Sequence, residues 1–385
     1  MGEQISLQTG RPGSLELVVV LDDVSRRRSR AAAEAMILSV ADRDAECCTM
    51  PVRLKDIADD LKLSKMTISK VLSGQTDISA DTKARVLQRV KELKYIPNRN
   101  ANSLRTGQTM TVGMILPSLR DTHLSQIMEG VVEVVRAGGY GLLLGGSEDD
   151  SEQEQRQLEM LLSRQVDAVV LVSTQESSAF LKHMDAVRNT HLIFVNRKLA
   201  GASEPFVGLQ EEEVGRIACD HLLASGCKRI AYLRGPRTAI GDLRAEGHRQ
   251  AVLDRGSRLQ PQLIVETMGT GESEYRRGFQ AMAKLLAGRN HPDAVAAYTD
   301  SMALGAMDAA MSAGMKIPSE ISFVGCGNTA VLCDMRVPLT SVDLCGREIG
   351  QKAGRMALRP PTPGKTAGGR GSLVKPKLVK RSSSR

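Results

Sequence analysis

Few side chains in this sequence stand at spacings that do chemistry. The six histidines, at 123, 183, 191, 221, 248 and 291, share no metal-ligand spacing. Cysteines at 47, 48, 219, 227, 326, 333 and 345 are odd in number and form no Cys-x-x-Cys, so they read as small buried hydrophobes of a reducing compartment. No G-x-x-x-x-G-K-[ST], G-x-S-x-G or H-E-x-x-H occurs. Gly325-Cys-Gly327-Asn-Thr-Ala330 formally fits the dinucleotide pattern G-x-G-x-x-A. It lies late in the chain, and the stretch to Pro338 is too short for the helix that pattern needs. No catalytic residue, cofactor or metal is therefore expected. What remains is a face of donors: Lys65, Met66, Ser69 and Lys70 project from one side of a short helical pattern at 65–72, opposite Ile68, Val71 and Leu72. Ammonium and hydroxyl groups on such a face suit base edges and phosphates, and equally suit a solvated helix surface.

The elements that would position this face are two further helical patterns. Leu54, Ile57, Ala58 and Leu61 fall at i, i+3, i+4, i+7, and Ser64 is suited to cap the helix that follows. A third helix at about 80–93 turns Val86, Val90 and Leu93 inward. Two short helices joined tightly and braced by a third make either a helix-turn-helix or a generic three-helix bundle.

From Thr111 the pattern changes. Apolar runs at 112–116, 141–144, 168–172, 192–195, 230–233, 294–297 and 321–324 alternate with helical stretches at 124–137, 151–164, 211–225, 241–256, 272–288 and 301–314. Alternation of this kind means parallel sheets covered by helices, and over this length two α/β lobes with a cleft at the strand carboxyl ends.

Charge divides the same way. The chain has 385 residues and formal charge +8. Residues 1–49 carry net −2, 50–110 net +6, 111–349 net −6 and 350–385 net +10. Aromatics make up 3% with no Trp, which argues against a base-stacking platform.

The wording of residues 54–98 is more specific than its pattern. Leu54-Lys-Asp-Ile-Ala, then Leu63-Ser64-x-x-Thr67-Ile68-Ser69-Lys70-Val71-Leu72, then Ile78-Ser79-x-x-Thr82-Lys-x-Arg-Val86 and Tyr95-Ile96-Pro97-Asn98 resembles the LacI/GalR family of bacterial repressors. The resemblance implies an all-α helix-turn-helix headpiece at 50–97 and a hinge helix at 98–110. It implies a two-lobed, type I periplasmic-binding-protein-like domain at 111–385 for effector binding and dimerisation. Lys65, Met66 and Lys70 then match positions that read base edges, and Ser64, Thr67, Ser69, Ser79, Thr82 and Asn98 positions that hold phosphates. Leu54 and Ala101 complete the DNA-binding set, with Leu104 the hinge wedge that enters a base step. Lysine at 70 lacks arginine's planar fork, so its base contact is less geometric, and Met66 offers only apolar contact.

Further along, Val112-Gly113-Met-Ile-Leu-Pro117, Val166-Asp167, His221-Leu-Leu-Ala-Ser-Gly226, Arg244-Ala-Glu-Gly247, Asp300-Ser-Met-Ala-Leu-Gly305 and Pro338-Leu-Thr340 extend the resemblance over the body, with Leu373–Lys380 as its closing strand. By position it implies an effector site from Thr122, His123, Asn196, Arg197, Arg244 and Asp300. Arg244 would clamp a carboxylate or a hydroxyl pair, and Asp300 would accept from ligand hydroxyls. Three places depart from the family: Gly325-Cys326-Gly327-Asn328 replaces an aromatic and two acids, Leu209-Gln210 replaces Asp-Asn, and Ser273 stands where a stacking Trp is known. These departures leave open a sugar, another metabolite or an unused pocket.

The implied function is a homodimeric, sequence-specific transcriptional regulator, a repressor of a palindromic double-stranded operator controlled by a small effector. A periplasmic-type binding protein is the alternative. Leu15–Leu21 is too short for a membrane span and Arg26-Arg27-Arg28 follows rather than precedes it, so a cytoplasmic protein without membrane partners is expected. Residues 1–49 lie outside the resemblance, and Met50 is a candidate start of translation, which N-terminal mass spectrometry would decide.

Overall fold

The computed structural model describes residues 52–75, 77–96, 107–183, 190–267, 272–288, 291–359 and 371–385. The stretch before residue 52 and the hinge positions Asn98, Ala101 and Leu104 lie outside the described residues. The chain divides into two compact units, residues 1–98 and 99–385.

In the first unit, α1 (Leu54–Leu61), α2 (Lys65–Leu72) and α3 (Ala80–Glu92) enclose a core of Ile57, Ala58, Ile68, Val71 and Val86. Each inward residue is the one its helical spacing places there. The turn between α1 and α2 is closed by Lys62 in the left-handed region, φ 54°. Ser64 Oγ accepts from Thr67 N (3.0 Å) and Ser79 Oγ from Thr82 N (3.3 Å), capping α2 and α3. Arg89 ties α3 back to α1 through Asp60 (2.5 Å).

The second unit holds two six-stranded sheets. The first is built from β1 (Thr111–Leu116), β2 (Gly141–Gly146), β3 (Ala168–Leu171), β4 (His191–Val195), β5 (Phe206–Leu209) and β11 (Gly371–Val374), in the order β11-β5-β4-β3-β1-β2, every pairing parallel. The second has β6 (Ile230–Arg234), β7 (Ile264–Glu266), β8 (Ala294–Ala297), β9 (Ser322–Cys326), β10 (Thr340–Asp343) and β12 (Lys377–Val379), ordered β12-β10-β9-β8-β6-β7. Here only β12 runs antiparallel to its neighbour. Helices α4 (Thr122–Ala137), α5 (Ser151–Ser163), α6 (Glu211–Ala224), α7 (Ala239–Asp254), α8 (Glu274–Ala287), α9 (Asp300–Ser312) and α10 (Gly346–Ala357) cover them. Burial on both faces is why the central strands read as unbroken apolar runs.

The chain crosses between lobes three times: from β5 into α6, from β10 into α10, and between β11 and β12. The last crossing corrects the sequence reading. Residues 373–380 form two short strands in different sheets, because Lys375-Pro376 interrupts the pairing and proline has no N–H for a ladder. The segment after Cys326 is a single 3-10 turn, Ala330–Cys333, so no dinucleotide-binding helix follows the glycines.

Three helix pairs cross at very short range through glycines. A Cβ on Gly215 (α6) would lie 1.9 Å from the Arg244 carbonyl oxygen, and one on Gly247 (α7) 1.8 Å from that of Glu212. Gly130 with Gly350, and Gly278 with Gly305, do the same for α4/α10 and α8/α9. Only glycine permits this approach, and at α6/α7 it sets the distance between the residues that matter next.

The basic C-terminal segment is built into the second lobe. Ser383 Oγ donates to Phe323 O (2.7 Å) and accepts from Thr340 N (2.8 Å), and Ser384 Oγ lies 2.8 Å from Thr340 Oγ1 and 2.7 Å from His221 Nε2. Arg381 donates to Leu339 O (2.7 Å) and Asn328 Oδ1 (2.6 Å). Part of the tail's charge thus serves to hold lobe structure.

Candidate functional site

Two regions carry the residues singled out in the sequence. On the first unit, α2 buries Ile68 and Val71 and turns the opposite face outward: Lys65 is exposed, and Met66 is 71% exposed. Thr67, Ser69 and Lys70 are half-buried on the same helix. Met66 thus leaves a large thioether in water on a helix that buries Ile68 and Val71. The Ser64 and Ser79 caps hold Thr67 and Thr82 close, at 2.9 Å between hydroxyl oxygens in each pair. Leu54 packs its side chain on the core, which leaves its backbone at the α1 N-terminus as the group able to meet a phosphate. Lys70 Nζ donates to Asp77 Oδ2 at 2.5 Å, and this bond holds the Asp77 carboxyl below the usual range.

On the second unit, the remaining residues gather at the carboxyl ends of the strands, where open α/β sheets bind ligands. Thr122 is exposed and begins α4. His123 beside it is half-buried, with Nε2 3.3 Å from Asn196 Oδ1, just past β4. Nδ1 of the same ring is buried without a protein partner. Burial, then the positive charge of Arg244, lowers the His123 pKa, so the ring is neutral at pH 7. Asn196 sits in the left-handed region at φ 65°, and Arg197 reaches Ser173 O (3.4 Å).

Arg244, on α7, is 6% exposed. Its Nε donates to Glu211 Oε2 at 2.7 Å, its Nη1 points to Tyr298 O (3.4 Å) and Cys326 Sγ (3.5 Å), and its guanidinium lies 4.8 Å from the Tyr298 ring centre. Glu211 is equally buried, and its Oε1 has no hydrogen-bond partner. Burial pushes the Cys326 thiol up to about 12, so it stays protonated beside the cation. Tyr232, Arg244, Tyr298 and Cys326 line a small gap at this cluster, with room for about one water molecule.

Asp300 is used internally. Its Oδ1 accepts from Ser341 Oγ (2.6 Å), and its Oδ2 from Thr329 N (3.0 Å) and Thr329 Oγ1 (3.2 Å). Burial nevertheless pushes its carboxyl up. A Cβ on Gly325 would lie 2.4 Å from Oδ1 and one on Gly327 3.0 Å from Oδ2, so the glycines of this loop make room for the carboxylate. The sequence reading gave Asp300 a ligand hydroxyl as partner; in this structure Ser341 and Thr329 occupy both oxygens.

The residues missed from sequence are Glu211, Tyr298 and Cys326. Glu211 was hidden in Glu211-Glu212-Glu213, which reads as the acidic first turn of a solvated helix. The usable signal was its place directly after a strand, at the end of the sheet where ligands lie.

Comparison with known proteins agrees with this geometry. Residues 53–98 match the family described as bacterial regulatory proteins, lacI family, and residues 219–384 match the periplasmic binding protein-like domain. The chain is 28% identical over 314 residues to catabolite control protein A of Priestia megaterium, covering 80% of this chain and 92% of that protein. It is 29% identical over 307 residues to the ribose operon repressor of Escherichia coli (strain K12), covering 78% and 90%. Among solved structures it resembles the lac repressor dimer bound to operator and the anti-inducer ONPF, with TM-score 0.72 at 25% identity over 87% of this chain and 99% of that one. It also resembles a complex of the transcriptional regulator CelR with cellobiose, with TM-score 0.61 at 25% identity over 86% and 99%. Among the described residues no helix is long and apolar enough to cross a membrane, and no cluster of three metal-ligating side chains occurs.

Proposed function

Because the chain belongs to the LacI family of DNA-binding transcription regulators, we propose that it is a cytoplasmic repressor and not an enzyme, that it grips a palindromic operator as a homodimer, and that a small ligand in the lobe cleft sets its affinity. The observation that carries this is α2: a capped helix on a buried core, presenting Lys65 and Met66 to solvent. Lys65, Met66 and Lys70 read base edges in the major groove. Ser69 contacts phosphate there, and the capped N-termini of α2 and α3, with Ser64, Thr67, Ser79 and Thr82, do the same. Asn98 and Ala101 follow the backbone, and Leu104 wedges the minor groove, as the resemblance implies. Homodimerisation is supported by exposed apolar Leu119, Val132 and Leu144, the last on β2, an end strand of its sheet.

For the effector, two buried polar atoms without partners favour one class. His123 Nδ1 and Glu211 Oε1 are buried polar atoms without partners, and Glu211 is paired with Arg244. A neutral molecule rich in hydroxyl donors satisfies both, whereas a bare carboxylate would confront Glu211. This supports a polyol or sugar, the class that cellobiose represents in the CelR complex, with Thr122, Asn196 and Arg197 on the first-lobe wall. Asp300 then acts through the loop it organises. A ligand that prefers one lobe arrangement shifts the DNA-binding population by its difference in affinity for the two. The test is selection of bound fragments from random DNA, repeated against a panel of sugars and other metabolites. A palindromic consensus whose recovery changes with a polyol is expected; recovery without any consensus overturns the proposal.

A further inference from the structure

The base-reading lysine of α2 does not stand free. Lys70 is half-buried and hydrogen-bonded at 2.5 Å to Asp77, an exposed carboxylate in the loop between α2 and α3. Around it, Lys65 on the same helix makes no ion pair among the described residues, and Asp56 and Asp60 are taken by Arg53 and Arg89. Among the described residues, Asp77 is thus the one acid paired with a residue of the proposed reading face.

We propose that Asp77 is a specificity-determining residue: it keeps one N–H of the Lys70 ammonium, holds the group in one orientation on the reading face, and leaves the other two N–H bonds for acceptors that lie where that orientation points. This rests on the reading of α2 as the DNA-recognition helix. Lysine carries a flexible stem and a point charge, so an untethered Lys70 would pair with any phosphate in reach and add affinity without information. A carboxylate at 2.5 Å competes with every phosphate at the cost of one ion pair, whatever the sequence. A site with acceptors along the two free N–H directions, such as guanine O6 and N7, takes the contact with the carboxylate still in place and does not bear that loss. Asp77 thereby weakens binding to scrambled DNA more than binding to operator, and selectivity rises. It also supplies the geometric constraint that a lysine lacks relative to arginine at this position.

The experiment uses the full chain, an operator obtained by selection and a scrambled duplex of equal length. Asp77→Asn is expected to tighten binding to scrambled DNA about 5-fold at physiological salt, to steepen its salt dependence by about one phosphate contact, and to change operator affinity less than about 2-fold. In a Lys70→Ala background the same substitution is expected to leave the operator-to-scrambled ratio within about 1.5-fold, because the effect passes through the ammonium. Equal weakening of both duplexes with a lowered melting temperature would make Asp77 a fold element only, and tightening that persists in Lys70→Ala would make it a general repulsive charge; either result overturns the proposal. Failure of the unsubstituted protein to select any sequence defeats the DNA-reading premise instead, and is separately visible in the selection.

Discussion

Removing the charge of Glu211 by Glu211→Gln isolates the feature on which the second lobe is organised. The Arg244–Glu211 pair is 2.7 Å long between two residues each 6% exposed. Breaking such a pair from one side leaves a cation out of water without its counter-charge, at a cost of about 3–5 kcal/mol. Glutamine keeps an oxygen that can still accept from Nε, and the Tyr298 carbonyl and ring remain, so the lower figure, about 3 kcal/mol, applies. With a urea m-value of about 3 kcal/mol/M, the midpoint falls by about 1 M at unchanged m. Tyrosine fluorescence reports it, since four of the five tyrosines lie beyond residue 110. The companion Glu211→Gln/Arg244→Met is expected to recover most of the loss, because no unpaired charge is then buried. A midpoint shift under about 0.2 M for the single variant, or a double variant no better than the sum of its parts, would refute the reasoning and make Arg244 a solvated side chain.

Other perturbations test other parts. His248 is buried, stacked on Tyr232 at 4.6 Å, and burial lowers its pKa to about 4. Because the folded value lies below the unfolded 6.5, its contribution is present above pH 6.5 and is lost as pH falls toward 4. That amounts to about 3 kcal/mol, and His248→Phe is expected to remove it from the stability profile while changing stability at pH 7.5 by less than about 1.5 kcal/mol. An unaltered acid limb would contradict it. Gly247→Ala places a methyl 1.8 Å from a backbone carbonyl, so calorimetry should show a loss of about 2–3 kcal/mol; a change within 0.5 kcal/mol would show that α6 and α7 can part cheaply. Lys65→Ala should weaken operator binding by about 1–3 kcal/mol and blur preference at one base pair in a repeated selection, whereas a uniform loss across sequences would make Lys65 a phosphate contact.

Much of this arrangement could be read before any coordinates. The headpiece was legible because its helices are short, amphipathic and capped by serines, so Ile57, Ile68, Val71 and Val86 had only one place to go. The long central strands were legible as apolar runs. β5, β7 and β10 were not, since Phe206–Leu209 contains a glycine, Ile264–Glu266 is three residues long, and Thr340–Asp343 is half polar. Pairing with an existing sheet decides such segments, and that information is not local. The cleft was legible in part. His123 and Asn196 do meet, while Arg244, read as a ligand clamp, is buried against Glu211. Its partner is a glutamate that looked like surface, and Asp300 is occupied by a loop whose glycines looked like a departure from pattern. The scarcity of aromatics counted against a sugar; the two buried polar atoms without partners, His123 Nδ1 and Glu211 Oε1, are visible only in three dimensions.

The most direct test is fluorescence anisotropy of the intact protein with a palindromic duplex from selection, a single half-site and a scrambled duplex, at one stated salt concentration. A palindrome bound at least about 10³-fold more tightly than the scrambled duplex, with the half-site far weaker, is the expected result for a dimeric reader of sequence. Equal affinity for all three duplexes would contradict it.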